Sequence, residues 1–456
     1  MTTAFYAAFL VLSHAAAQEP ATQASPMPAA PTQTALQPGP VLTMDEALKI
    51  AEANAFDVKI SESQYRQSKG RLNEIRGLTG PKLTTSASYT RFDEASGSGG
   101  SSSGGGGQID SKNASVQLTM PLDLTGILGK GVAGASAGVK ASAADLAASK
   151  NTLRLDVRSS YYDVLRAQAL VSVAQQEVQN AQQAVTTEEQ REAAGVSAHI
   201  DVLRLQTQLA QAQSDVISAQ TGLAIAKENL NNTLGRPIET PFDVQDPSAL
   251  PTVTSDENTL TQNALARRPE IQSIRYTRKE LAWIRRAQEG GLMPSLNLSA
   301  TYNRNLDPGP SARDHSASAT IGLSWPIFDS GVTHARVSQA REDERQAEIR
   351  QQQLELGISL EVRQAVTNLV NAQAALGVAQ TQVTVAAETY RLAQVRLQAG
   401  EGTSLEVTNA QTDLTRAQQG LANARYNYLT AYAQLQRAVA ADDPDAAPTE
   451  QGKETK

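Results

Sequence analysis

Four histidines, no cysteine and one glycine-rich tract are the features of this 456-residue chain from which chemistry could start. His14, His199, His315 and His334 lie in separate segments, and no two stand four residues apart, as a helical metal pair would require. The absence of cysteine removes thiolate metal sites, thiol catalysis, disulfides and lipid attachment at a cysteine. Gly97 to Gly107 lacks the Lys-Ser/Thr and the following helix of a phosphate loop, so it reads as a surface loop. No catalytic set, metal or cofactor is expected, and the chain does not read as an enzyme. Its formal charge of −7, with Lys and Arg spread along the chain, offers no basic face for nucleic acid.

The elements that would position any functional residue come from composition and from a repeat. With 40% apolar residues but only 4% aromatic ones, the chain cannot fill several globular cores. The N-terminus, residues 1–17, has a short apolar stretch ending in Ala15-Ala16-Ala17 and reads as a signal peptide. Residues 18–42 read as a Pro/Ala/Thr linker and 441–456 as a polar tail, both too poor in large apolar groups to pack. Between them the sequence is duplicated. Pro121 recurs as Pro326, Val157-Arg158 as Val362-Arg363 and Ala194-Gly195 as Ala399-Gly400, always 205 residues on. Upstream, Pro81-Lys82-Leu83 aligns with Pro294-Ser295-Leu296 at an offset of 213, because the first copy carries the glycine tract. The halves are expected at 43–234 and 256–440, joined by a proline-rich segment at 235–255 that interrupts the helices and forms part of a belt around the rod.

Each half carries two long helices with apolar residues at alternating steps of four and three. Leu153, Val157, Ser160, Val164 and Ala167 begin one such series, and Val202, Leu205, Leu209 and Ala212 begin its partner. The connections contain Gly195, Val196 and Ser197 in one copy and Gly400, Gly402, Thr403 and Ser404 in the other. Each has a glycine to end one helix and a hydroxyl residue to cap the next. At the opposite end of each half the period drops to two. Leu83, Thr85, Ala87 and Tyr89, then Ala114, Val116, Leu118 and Met120, form one pair of amphipathic strands, and 296–302 with 317–325 form the second. Phe92 and Trp325 sit near strand ends as interfacial anchors. Pro121 and Pro326 are expected to end ladder pairing, with Gly126, Gly129 and Gly331 allowing the bend into helix.

Strands of about ten residues suit a tilted membrane crossing, but four are too few to close a barrel around water. Several chains would then share one barrel. The alternative is a soluble periplasmic coiled-coil scaffold or adaptor with a β-hairpin pair capping a helical stalk, which leaves the amphipathic strands unexplained.

Ala-Leu-Ala-Arg-Arg-Pro-Glu (264–270), Trp-Pro-Ile-Phe-Asp-Ser-Gly (325–331), Gly-Thr-Ser-Leu-Glu-Val (402–407) and Leu-Ala-Asn-Ala-Arg-Tyr-Asn-Tyr-Leu (421–429) resemble the TolC-type outer membrane efflux proteins, over about residues 43 to 440. The resemblance implies a mainly α fold with a small β part. Long α-helical coiled-coil hairpins would form a periplasmic α-barrel, and four transmembrane β-strands per chain a twelve-stranded barrel in a homotrimer. It also implies a location in the outer membrane lipid, extending into the periplasm. The function it implies is an exit duct for a tripartite efflux pump or type I secretion system, with a periplasmic adaptor and an inner-membrane transporter as partners. By the same resemblance Glu406 and Asn409 fall where carboxylates ring the periplasmic aperture, with Asn409 replacing a carboxylate. The arginine and tyrosine that lock the aperture in the family align with Gly402 and Leu397, so the lock is absent or built differently; Asp201 could support one. The two turns would be the adaptor-binding tips.

Overall fold

The computed structural model describes residues 39–91, 110–246, 250–251, 256–308 and 313–441. The expected signal segment, most of the linker, Phe92, the glycine tract and nearly all of the tail lie outside the described residues.

The first half runs β1 (Val41–Leu42), α1 (Met44–Asn54), α2 (Phe56–Leu78), β2 (Lys82–Arg91), β3 (Asp110–Leu122), α3 (Ile127–Ala193) and α4 (His199–Thr233). After β4 (Asp243–Val244), the second runs α5 (Glu257–Arg267), α6 (Pro269–Gln288), β5 (Ser295–Asn305), β6 (His315–Ser324), α7 (Val332–Gln398) and α8 (Ser404–Ala438). The two offsets read from sequence hold: β6, α7 and α8 begin 205 residues after β3, α3 and α4, and α5, α6 and β5 begin 213 after α1, α2 and β2.

α3 and α7 each contain 67 residues, about 100 Å at 1.5 Å per residue. No position of the expected seams is exposed; Val157, Val164, Val362 and Leu369 are buried and Ser160 and Ala167 half-buried. Each long helix starts after a glycine in the left-handed region, Gly126 at φ 70° and Gly331 at φ 84°. An upstream aspartate supplies the missing cap: Asp123 accepts from the Gly129 N–H at 2.8 Å and Asp329 from the Thr333 N–H at 2.7 Å.

The four long strands form one antiparallel sheet in the order β2-β3-β5-β6. Its register puts Leu83, Leu118, Ala300 and Ala319 in one row and Thr85, Val116, Tyr302 and Ala317 in the next, so apolar side chains share a face. The other face carries rows such as Ser86, Ser115, Asn303 and Ser316, with the first two hydroxyls 2.7 Å apart. Pro326 follows the end of β6, as expected, but Pro121 does not end its ladder. It is still paired with Asn297, and Leu122 with Leu296. β2 stops its pairing at Thr119, so Pro121 lies beyond the β2 ladder, where an N–H is not needed on that side.

Below the sheet α3 packs between α2 and α6, and α6 packs on α7; further along, α3 packs between α4 and α8, and α8 on α7. The helix order is therefore α2-α3-α6-α7 and then α4-α3-α8-α7. Two larger cores hold these layers, with a small third one around Val407 near the second turn. One surrounds Tyr161, Leu230 and Phe242, where β1 and β4 pair in parallel; the other surrounds Ile358, Val362, Tyr428 and Leu435. The Tyr161 hydroxyl donates toward the carbonyls of Leu42 (2.9 Å) and Gln245 (2.8 Å) and accepts from the Gln245 N–H (2.9 Å), pinning the inter-repeat segment to α3. In the second half Arg268, 3% exposed, binds Glu270 at 2.9 Å and Glu361 at 2.6 Å, and Arg437 also reaches both carboxylates. Among the described residues no helix is long and apolar enough to cross a membrane.

Candidate functional site

The two turns, expected from Gly195 to Ser197 and from Gly400 to Ser404, lie at the end of the helical hairpins away from the sheet. In the first, Gly195 takes φ 74°. Its N–H reaches the Glu192 carbonyl at 2.8 Å and the Val196 N–H reaches Arg191 at 2.9 Å, the paired bonds of a Schellman ending. Gly400, at φ 78°, repeats the motif through Leu397 and Arg396. The second turn then starts α8 as expected, with the Thr403 hydroxyl accepting from the Glu406 N–H at 3.3 Å. The first does not. α4 begins at His199 without a side-chain cap, because its N-cap is Ala198 where the second copy has Thr403, while Ser197, one residue earlier, donates its hydroxyl to the Glu188 carboxylate.

Glu188 is the residue that sequence reasoning missed. It is 2% exposed, and its second oxygen accepts from the Ser404 hydroxyl at 2.8 Å, so one carboxylate holds a serine from each turn. Arg191 lies 3.6 Å away. A cavity of about 200 Å³ adjoins it, walled in part by Tyr390, Leu397 and the buried amide of Gln411. Burial pushes the Tyr390 hydroxyl pKa above its ordinary value. A signal was present in the sequence: continuing the step of three from Val185 lands on Glu188, a carboxylate at the small-residue seam position held by Ser160, Ala167, Ala174 and Ala181.

The aperture candidates are placed separately. Glu406 points back to α7, where Arg396 holds it at 3.1 Å, and Asn409 is exposed one turn further along α8. Asp201 pairs at 3.0 Å with Arg204 on its own helix, so in this chain the bond between hairpins runs through Glu188 rather than Asp201. Gly402 has little room for a side chain, since a Cβ would lie 3.0 Å from the Leu397 nitrogen. Among the described residues no group of three or more His, Cys, Asp or Glu could hold a metal ion.

A duplicated rod ending in a four-stranded sheet is matched by one family model. The model described as outer membrane efflux protein aligns with residues 47–236 and 260–441, one stretch in each half. The chain belongs to the outer membrane efflux protein family. This efflux protein is 24% identical over 442 residues to the cobalt-zinc-cadmium resistance protein CzcC of Cupriavidus metallidurans, which covers 96% of each chain. It is 25% identical to TolC of Escherichia coli over 391 residues, 81% of this chain and 76% of that one. Identity to BepC of Brucella suis is 31% over 184 residues, covering 38% of this chain and 39% of that one. The fold superimposes on the outer membrane protein VceC of Vibrio cholerae with a TM-score of 0.74, at 18% identity, covering 87% of this chain and 95% of that one. The CmeC channel of Campylobacter jejuni gives a TM-score of 0.75 at 17% identity, over 87% and 85% of the two chains. The efflux protein is thus mainly helical, with the fold of outer membrane channels, and its place is the outer membrane.

Proposed function

We propose that three copies of this efflux protein form a passive exit duct across the outer membrane and periplasm. An inner-membrane transporter would supply it through a periplasmic adaptor. The observation that carries this reading is that, among the described residues, every layer of the chain ends in an open edge on both sides. The sheet stops at β2 and β6, and the helical layers stop at α2 or α4 on one side and α7 on the other. Large apolar residues line the helical edges: Phe56 and Ile60 on α2, Leu203 and Ile217 on α4, Leu356 and Val378 on α7. Edges of this kind close head to tail into a ring. Two copies would supply eight strands, a barrel that side chains nearly fill, whereas three supply twelve and leave an aqueous bore. The apolar rows would then face lipid and the Ser/Thr/Asn rows the bore.

At the other end Glu406 and Asn409 would line the aperture. Val196, 65% exposed, and the exposed Glu401 would meet the adaptor, since Ser197 and Ser404 are turned inward. The test is extraction in detergent, mobility on unheated gels and conductance in planar bilayers. A trimer that conducts is expected, with cation preference lowered by Glu406→Ala and raised by Arg396→Ala, which frees the carboxylate from its ion pair. A soluble monomer without conductance would defeat the duct, and unchanged preference in both variants would remove Glu406 from the aperture.

A further inference from the structure

Positive charge on the strands is sorted by face and by height. Among the described strand residues Lys82, opposite Thr119, is the one cation on the polar face, and it lies at the helical end. Arg91, Lys112, Arg304 and His315 stand on the apolar face, all at the far end. The register sets Ala87, Ala114, Arg304 and His315 in one row and Tyr89 with Lys112 in the next row outward; Arg91, paired in the ladder with Asp110, follows. Cations on a lipid-facing wall are destabilising at mid-depth and tolerated only near the headgroups. The height of the row fits that rule. Trp325, whose indole N–H donates to the Leu292 carbonyl at 3.1 Å, marks the helix-side edge of the apolar face. His315 lies ten residues earlier in the sequence, about 26 Å away at 3.4 Å per residue and a tilt near 40°, while an outward apolar band is about 25 Å tall.

We infer that this rim is a binding site for the phosphate groups of an outer-leaflet glycolipid, with Arg304 and Lys112 holding the phosphate. The inference rests on the duct reading, which turns the apolar face to lipid. Both residues lie on the inner strands β5 and β3, so a neighbouring copy at either sheet edge leaves them facing out. Lys112 is the diagonal neighbour of Arg304 across their ladder, a separation of about 7–8 Å that two long side chains close around one phosphate. Arg304 is exposed and makes no ion pair among the described residues. Asp314, which feels its charge, bonds His315 at 2.6 Å. Lys112 meets Asp307 at 3.3 Å, and an ammonium has further donors to offer.

The residues around the pair fit a sugar-bearing headgroup. Ala87 and Ala114 leave a shelf beside Arg304 in its row. Tyr302, stacked on His315 with ring centroids 6.4 Å apart, and the exposed Tyr89 present ring faces and hydroxyls at the same height. A planar guanidinium takes two oxygens of one phosphate, and the ammonium adds a point charge. Asymmetry between the two edges of the face selects the leaflet. At the helix-side edge the row is Leu122, Leu296 and Leu323, followed by Trp325, with no cation among them. Phosphate is therefore gripped only at the edge that the duct turns outward, where the lipid is a phosphorylated glycolipid.

The experiment uses the full-length protein, extracted in detergent as the oligomer, and reads bound lipid by native mass spectrometry. The probes are bisphosphorylated lipid A, its dephosphorylated form, phosphatidylglycerol and inorganic phosphate. The bisphosphorylated lipid is expected to bind about tenfold or more tighter than the dephosphorylated form or phosphatidylglycerol, without displacement by an equal concentration of inorganic phosphate. Arg304→Gln with Lys112→Gln should lose about tenfold or more of that affinity. Arg304→Lys, which keeps the charge, should lose about threefold or less, and Lys82→Gln, on the other face and at the other end, should bind as the parent does. Unchanged binding in the double variant, in a protein that still migrates as a trimer when unheated, would overturn the site while leaving the duct standing. Equal binding of phosphatidylglycerol, or displacement by inorganic phosphate, would overturn the glycolipid as its ligand. A chain that never forms an oligomer would defeat the duct and the site with it.

Discussion

Glu188 offers the sharpest test of how the two hairpin ends are held together. Replacing it with alanine removes an acceptor shared by Ser197 and Ser404, but it also removes a carboxylate that was taken out of water, its side chain only 3% exposed. Hydrogen bonds to a charged group contribute roughly 1.5–3 kcal/mol each, while desolvating the carboxylate costs several kcal/mol. The net effect of the single substitution is therefore a difference of similar terms. The coupling between Glu188→Ala and Ser404→Ala cancels the desolvation common to both arms of the cycle, and about 1–2 kcal/mol is expected to remain.

The readout is amide hydrogen exchange in the detergent-solubilised oligomer, over residues 396–411. A coupling of that size accelerates exchange there about 5- to 30-fold beyond the sum of the single effects. The segment around Tyr161 and Gln245 should not respond, because it is separated from the turns by the length of α4, about 50 Å for 35 residues. Coupling below about 0.3 kcal/mol, within ordinary additivity error, would show that the Glu188 bridge does not hold the hairpins together. Equal acceleration around Tyr161 would show that the substitutions act through global unfolding.

Three further outcomes follow, two from the second core and one from the glycines that end or start helices. Arg268→Met leaves Glu270 and Glu361 facing each other with only Arg437 between them, and is expected to destabilise the protein by about 3 kcal/mol, read as a lower melting temperature of the oligomer. Burial raises the Glu270 pKa, but hydrogen bonding and charge from Arg268 outweigh it and hold it below 4.5; a depressed carboxylate stabilises above its unfolded pKa, so that contribution is lost as pH falls below about 4.5 through the folded value, and Glu270→Gln should flatten this part of the acid profile. Gly331→Ala should cost about 1–2 kcal/mol for its left-handed backbone alone, whereas Gly235→Ala should cost distinctly more, because its Cβ would also lie 2.6 Å from the Asn54 carbonyl; equal melting shifts would contradict the packing at the inter-repeat segment.

Much of this architecture was legible because duplication makes one sequence report twice. The starts of α7 and α8 follow from those of α3 and α4, and strand alternation in Leu83–Tyr89 is repeated in Leu296–Tyr302. What escaped was whatever the repeat does not share. Tyr161 and Tyr426 lie off the heptad seam and are buried where β1, α1 and the inter-repeat segment meet the helices, which a helical period cannot reveal. Pro121 stays paired with β5 because the end of a ladder depends on the neighbour's length, and α4 starts uncapped because Ala198 stands where the second copy has Thr403. Glu188 itself stood on the seam, but a heptad scan that counts apolar residues stops at Val185.

On the duct reading, the same register also decides where charge discrimination resides. Parity along the four strands puts Ser, Thr, Asn and Gln on the bore-facing side, and among the described strand residues the only charge on that side is Lys82, at the end where the strands meet the helices. A twelve-stranded wall at 4.8 Å spacing and a tilt near 40° has a radius of about 12 Å, and the Debye length at physiological salt is about 8 Å. A wall charge would therefore influence most of the bore, and this wall offers almost none. The opposite end differs: residues 188–206 and 396–406 carry six carboxylates against three arginines. Ion preference should then be set at the hairpin end, with Arg396 acting as a counter-charge to Glu406. Cation preference should accordingly be larger with dilute salt on the hairpin side of the bilayer, where those carboxylates are least screened, than with dilute salt on the strand side. Equal preference in the two orientations would place the selecting charge elsewhere in the duct.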